Sequence, residues 1–247
     1  MFPINITLGK VIINSHLLFE ILAYTLGFRY FLYLRKKAID RVSESNRIWI
    51  LIGAGFGAVI GSRLLGFFST LISGLNVSQA VLLFFSSKSI VGGLLGGLIG
   101  VEITKKFLNI KFSTGDLLTY PIILAMIIGR VGCFLQGVHD GTHGTASTLP
   151  WAIDMGDGIL RHPTSLYEVI FLAALWVVLR KIDHRLIEGA RFKLFITAYL
   201  VFRFFIEFIK PVYIYPVGIS AIQIVCLAGL IYYWKVLLFS QSLFKQI

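Results

Sequence analysis

The chain has 247 residues, of which 57% are hydrophobic and 14% charged, with a mean hydropathy of +0.83. A soluble domain of this length carries roughly 45–50% apolar and about 25% charged residues, so a water-soluble globular protein is excluded. The net charge of +11 then reads as Lys and Arg beside a membrane rather than a nucleic-acid surface, and two cysteines cannot build a disulfide framework.

Apolar runs of about 20 residues are long enough to cross a ~30 Å hydrocarbon core as helices. Seven such runs are centred on 12–33, 48–70, 84–104, 117–135, 165–180, 193–210 and 218–239. They predict an all-α integral membrane protein: one polytopic domain over 1–247, with about seven transmembrane helices around a central lipid-accessible cavity.

The first run lacks a basic start and a small-residue cleavage site and contains Glu20, so it reads as a retained span rather than a cleaved signal peptide. The second contains GAGFGAVIG, with Gly53, Gly57 and Gly61 four apart, and then Arg63. The third contains VGGLLGGLIG, with Gly92, Gly96 and Gly100 on one line and Gly93 and Gly97 on the next. Small residues at this spacing let helix backbones approach closely, and a glycine face at Gly96 and Gly97 also has room for a lipid headgroup or acyl chain.

The fourth run opens on Ser113-Thr-Gly-Asp116, which looks like a helix start, and ends in GRVGCFLQG with Arg130 and Cys133. The segment of about 136–164 then holds three of the five histidines. His139, Asp140 and His143 lie within five residues, but HDGTHGT reads as a turn and no Cys or Glu cluster completes a ligand set, so no metal site is expected there. Ser165 and Glu168 have capping-box spacing at the head of the fifth run. The sixth carries Arg203 and Glu207, four apart on one face. The seventh holds Cys226 with no polar company.

Loop charge alternates. Five basic residues follow the first run, Lys105, Lys106 and Lys111 follow the third, and Arg180, Lys181, Arg185, Arg191 and Lys193 follow the fifth, whereas the loops between carry only Lys88, Arg161 and Lys210. The positive-inside rule then sets the N-terminus outside, the C-terminus in the cytoplasm and the loop at about 136–164 outward.

A charge at bilayer depth costs at least about 2.5–3.5 kcal/mol, so it needs a partner or a function. Glu20, Arg63, Arg130, Glu168, Arg203 and Glu207 fall in or at the ends of apolar runs, toward the outer side in this orientation. Three anions can neutralise three cations around one cavity. Guanidinium groups match phosphate oxygens two at a time and stay charged when desolvated, which points to a lipid phosphate.

Four stretches in order, VGGLLGGLIG at 91–100, GRVGCFLQG at 129–137, RHPTSLYE at 161–168 and AYLVFRFFIEF at 198–208, followed by Ile219 to Gln223, resemble the bacterial prolipoprotein diacylglyceryl transferase family. The resemblance runs from about residue 15 to 235. It implies an enzyme of the bacterial inner membrane that transfers the diacylglyceryl group of phosphatidylglycerol to the lipobox cysteine thiol of an exported prelipoprotein. Its partners would be that anionic phospholipid and the signal peptide, with no cofactor, no metal and no nucleic acid.

Arg130, Arg203 and Glu207 fall on positions the family uses at its active site, and Gly141, Arg161, Tyr167, Tyr199 and Gln223 on further motif positions. The chain departs from the family pattern at Leu95, where a histidine is expected, at Cys133 and Gln136, where asparagines are, and at Glu20, where a tyrosine is. Glu20, His139 and His143 are candidates to deprotonate the thiol in place of the missing histidine. Two other readings stay open on the sequence: a non-catalytic lipid-binding or lipid-moving protein, and an acyltransferase that forms a covalent intermediate on Cys133.

Overall fold

The computed structural model describes residues 2–8, 11–38, 40–70 and 76–245. A short antiparallel hairpin, β1 (Ile6–Leu8) and β2 (Val11–Ile13), pairs Ile6 with Ile13. It takes the start of the first predicted run, so helix α1 (Ser15–Lys37) begins only after Asn14, whose side chain accepts the Leu17 N–H at 3.2 Å. The other helices are α2 (Glu44–Ser69), α3 (Val77–Ser86), α4 (Ile90–Phe107), α5 (Asp116–Gln136), α6 (Thr164–Ile182), α7 (Ala190–Ile206), α8 (Ala221–Tyr232) and α9 (Trp234–Leu238). Between α5 and α6, β3 (Ile153–Asp154) pairs with β4 (Leu160–Arg161).

Helices thus fall on all seven predicted runs. By length and apolarity, three of them qualify as spans: α1, α2, and α5 with the turn that extends it to Asp140. A fourth qualifies if α3 and α4, which meet at 81°, form one broken span. That break was not foreseen. Helix α7 has 17 residues and α8 has 12, short of a full crossing. Large apolar side chains such as Tyr24, Phe56, Ile170 and Ile231 face outward, a distribution suited to lipid.

Helix α2 lies against α4 through their glycines. A Cβ on Gly57 would sit 2.3 Å from the Gly96 carbonyl oxygen, and one on Gly96 2.3 Å from that of Gly57. Only hydrogen fits there, and the close approach allows Cα–H···O contacts along the whole face. Gly96 is therefore used up in packing rather than lining a lipid pocket. At Gly97 a Cβ would come within 3.3 Å of the Ala54 carbonyl, so it too faces α2.

The apolar core lies between α5, α6, α7 and α8, around Ile123, Leu172, Phe195, Leu200 and Cys226, with Phe171 stacked on Phe202 at 4.2 Å. Asp116 opens α5 but does not cap it. Its carboxylate accepts the N–H groups of Gly189 (2.6 Å) and Phe192 (3.0 Å) and so pins the start of α7 to α5. This fixes the register that brings the far ends of α5 and α7 together.

Candidate active site

The far end of α5, the end of α7 with the turn that follows it, and the second turn of α6 carry four buried charges. Arg130 and Arg203 are each 5% exposed, Glu168 2% and Glu207 1%. Glu168 is the hub. Its Oε1 lies 2.9 Å from Nε of Arg130 and accepts the Tyr199 hydroxyl at 2.7 Å, and its Oε2 lies 3.6 Å from Nη1 of Arg203. Nη2 of Arg203 turns to Oε2 of Glu207 at 2.9 Å, the i, i+4 pair expected from sequence. Two cations and two anions leave the cluster neutral, which is what makes burial of four ionised groups affordable.

Glu168 is thus not a helix cap. Helix α6 starts after Pro163 with no side-chain cap, and the carboxylate points into the bundle. The capping-box reading fails because two guanidinium groups compete for the carboxylate far better than one backbone N–H. The signal in the sequence was the matching count of three cations and three anions among the apolar runs.

Arg63 does not join this cluster. Its Nη1 donates to the backbone carbonyls of Phe85 and of Ser87 (3.1 Å for the latter), satisfying carbonyls that the α3–α4 break leaves open. The expected three-arginine clamp is therefore a pair. Glu168, Tyr199 and Glu207 lie against the two guanidinium groups. A surface hollow of about 660 Å³ lies elsewhere, lined by Ala146, Leu149, Leu160 and His162.

Several residues singled out from sequence hold the 136–164 segment in place. Gly141 adopts φ +68°, closing the turn after α5 in a conformation that glycine takes without strain. Arg161 pairs with Asp157 at 2.7 Å. The Tyr167 hydroxyl accepts from Trp151 Nε1 at 2.8 Å and lies 3.2 Å from Nδ1 of His162. The Thr145 N–H donates to the Ile209 carbonyl at 2.8 Å, seating the loop beside Glu207. Gln223 forms a true capping box with Ser220, and its Nε2 also reaches the Phe204 carbonyl at 3.2 Å, so its amide is engaged at both ends. Gln136 differs: its Oε1 is buried with no hydrogen-bond partner among the described residues.

The candidate bases separate. His139 is exposed on the turn after α5. His143 lies with Nδ1 3.1 Å from the carbonyl of its own neighbour Gly144. Glu20 lies 3.2 Å from Lys88 Nζ and 3.9 Å from Nε2 of His16. His16 was not singled out from sequence, although its position four residues before Glu20 on one helix face was a usable signal.

Residues 3–239 match the prolipoprotein diacylglyceryl transferase family. A relative from Clostridioides difficile (strain 630), named phosphatidylglycerol–prolipoprotein diacylglyceryl transferase, is 36% identical over 160 residues, 63% of this chain and 62% of that protein. One of the same name from Wolbachia pipientis subsp. Culex pipiens (strain wPip) is 31% identical over 223 residues, covering 84% of this chain and 81% of that protein. A third, from Finegoldia magna, is 28% identical over 206 residues, with 82% of each chain covered.

Proposed function

The chain belongs to the prolipoprotein diacylglyceryl transferase family, and from that premise we propose that the Arg130–Glu168–Arg203 cluster is the phosphate grip of its reaction. The protein is a multi-pass membrane transferase that moves a diacylglyceryl group from phosphatidylglycerol to prolipoproteins. The acceptor atom is the lipobox cysteine sulfur. Sulfur attacks the glyceryl carbon, the bond from that carbon to the phosphate oxygen breaks, and glycerol phosphate leaves with the electron pair.

The observation that carries this reading is the single carboxylate, Glu168, held between two buried guanidinium groups. Arg130 meets it through Nε and turns Nη1 toward Cys133 Sγ, so Nη2 is the donor offered to a phosphate oxygen. Nε of Arg203 is buried with no hydrogen-bond partner among the described residues. Both groups are oriented before the lipid arrives, so little reorganisation is needed as charge grows on the leaving phosphate. One such directed donor is worth about 2.7–4 kcal/mol of barrier. Glu207 and Tyr199 hold the grip in shape, and the unpartnered Gln136 carbonyl oxygen is suited to a glycerol hydroxyl.

The protein sits in the bacterial inner membrane as one polytopic domain. Its N-terminus lies outside, and the 136–164 segment closes over the site on the side where exported substrates emerge. The test is incubation of purified protein with isotope-labelled phosphatidylglycerol and a lipobox peptide. Mass spectrometry should find a diacylglyceryl thioether on the cysteine. Lipid binding without that product would overturn the enzymatic reading.

A further inference from the structure

The family histidine that the resemblance leads one to expect is Leu95 here, so the thiol needs another activator. The fold assembles one from two distant stretches of chain. His16 at the start of α1, Cys133 near the end of α5 and Asp140 on the turn beyond it each bring one nitrogen, sulfur or oxygen atom within 4.8 Å of the other two. We propose that these three residues form a zinc site that binds and activates the acceptor thiol, a proposal that rests on the transferase reading above.

The donors are one imidazole, one thiol and one carboxylate, the mixed set that zinc takes in tetrahedral sites, and three protein ligands leave the fourth position for substrate. Zinc bonds of about 2.0–2.3 Å set donor atoms roughly 3.5 Å apart, so from the 4.8 Å limit no pair closes in by more than about 1.3 Å. Nδ1 of His16 and Oδ1 of Asp140 are already 3.1 Å apart, yet Nδ1 is buried with no partner in hydrogen-bond alignment.

The surroundings match what orients metal ligands elsewhere. The Thr142 hydroxyl donates to Oδ2 of Asp140 at 2.5 Å, which leaves Oδ1 turned toward His16. Glu20 sits 3.9 Å from Nε2 of His16 and is itself held by Lys88 at 3.2 Å. Nη1 of Arg130 lies 3.8 Å from Cys133 Sγ, which links the site to the phosphate grip. The same geometry argues against a covalent acyl-enzyme on Cys133. Each ring nitrogen of His16 faces a carboxylate, and among the described residues His16 makes no hydrogen bond to Cys133.

In the step itself, the substrate thiol binds zinc as thiolate and its proton passes to water. The sulfur then forms its bond to the glyceryl carbon, whose bond to the phosphate oxygen breaks. The electron pair leaves on glycerol phosphate, and nothing is oxidised or reduced. The thioether, a weaker ligand than thiolate, then departs from the metal.

The experiment measures metal content of the full-length protein in detergent, then replaces zinc with cobalt. About one zinc per chain is expected, with a thiolate-to-cobalt charge-transfer band that disappears in Cys133→Ser. Glu20→Gln should weaken zinc binding about 10–100-fold while leaving the ligands in place. Arg130→Ala should abolish transfer yet keep the metal and the cobalt band, so failure of the phosphate grip and failure of the zinc site give different results. Wild-type protein that holds no zinc, gives no cobalt–thiolate band and transfers at full rate after exhaustive chelation would overturn the proposal.

Discussion

Arg130→Lys keeps a positive charge at the centre of the site and removes only its shape. The guanidinium reaches Glu168 through Nε at 2.9 Å and Cys133 through Nη1 at 3.8 Å, in two directions at once. One ammonium is a single point donor on a flexible stem and cannot repeat that fork. Glu168 still has Arg203 at 3.6 Å and the Tyr199 hydroxyl at 2.7 Å, so it is not left bare. The stability cost is therefore about 1–3 kcal/mol, the range for one unsatisfied buried partner, and the protein stays folded. The reaction loses a directed donor to the leaving phosphate, which corresponds to about 10²–10³ in turnover. Transfer to a lipobox peptide, followed by mass spectrometry on protein whose thermal unfolding is measured in parallel, separates the two effects. A lysine variant that is as active as wild type to within a few-fold would refute the idea that a guanidinium fork grips the phosphate.

Glu168→Gln strips the shared anion from both arginines. It should destabilise the protein by about 3–5 kcal/mol, and a shift in thermal midpoint no larger than that of a surface substitution would remove Glu168 as hub. Gly96→Ala puts a methyl 2.3 Å from the Gly57 carbonyl and should cost about 1–3 kcal/mol through separation of α2 and α4. Gly93→Ala, whose methyl would lie 3.7 Å from the Ala58 carbonyl, should fold normally, and equal yields of the two in detergent would contradict the packing role. In the link between α1 and α2, burial opposes ionisation of Asp40, but hydrogen bonds from Arg47 and the Val42 N–H outweigh it and hold the carboxyl below its usual value. Its contribution to stability is then complete above about pH 4, the unfolded value, and lost as pH falls through the lower folded value. Asp40→Asn should flatten that acid limb of the unfolding profile and leave Arg47 without its carboxylate, which thermal unfolding between neutral and acid pH measures directly.

The span-forming helices were legible because apolar runs record their length, and the glycine contact because residues four apart share a helix face. The Arg203–Glu207 pair was legible for the same reason. What the sequence hid was mostly long-range or local competition. Arg63 faces a helix break that apolarity does not mark, so its backbone partners could not be foreseen. Glu168 carries the spacing of a cap, and only the arrival of Arg130 and Arg203 from two other helices decides its partner. The His16, Cys133 and Asp140 group draws on residues more than a hundred positions apart, whereas sequence proximity favoured His139 and His143, which point elsewhere. The β1–β2 hairpin was missed because β2 overlaps the start of the first apolar run, although Gly9-Lys10 in the sequence was a usable hairpin signal.

The most direct measurement is a structure of this protein in a lipid bilayer mimic containing phosphatidylglycerol. The account predicts the lipid phosphate within hydrogen-bond distance, about 3 Å, of the guanidinium groups of both Arg130 and Arg203, with Glu168 still behind them. A phosphate bound elsewhere, with the Arg130–Glu168–Arg203 bridge closed and untouched, would contradict it.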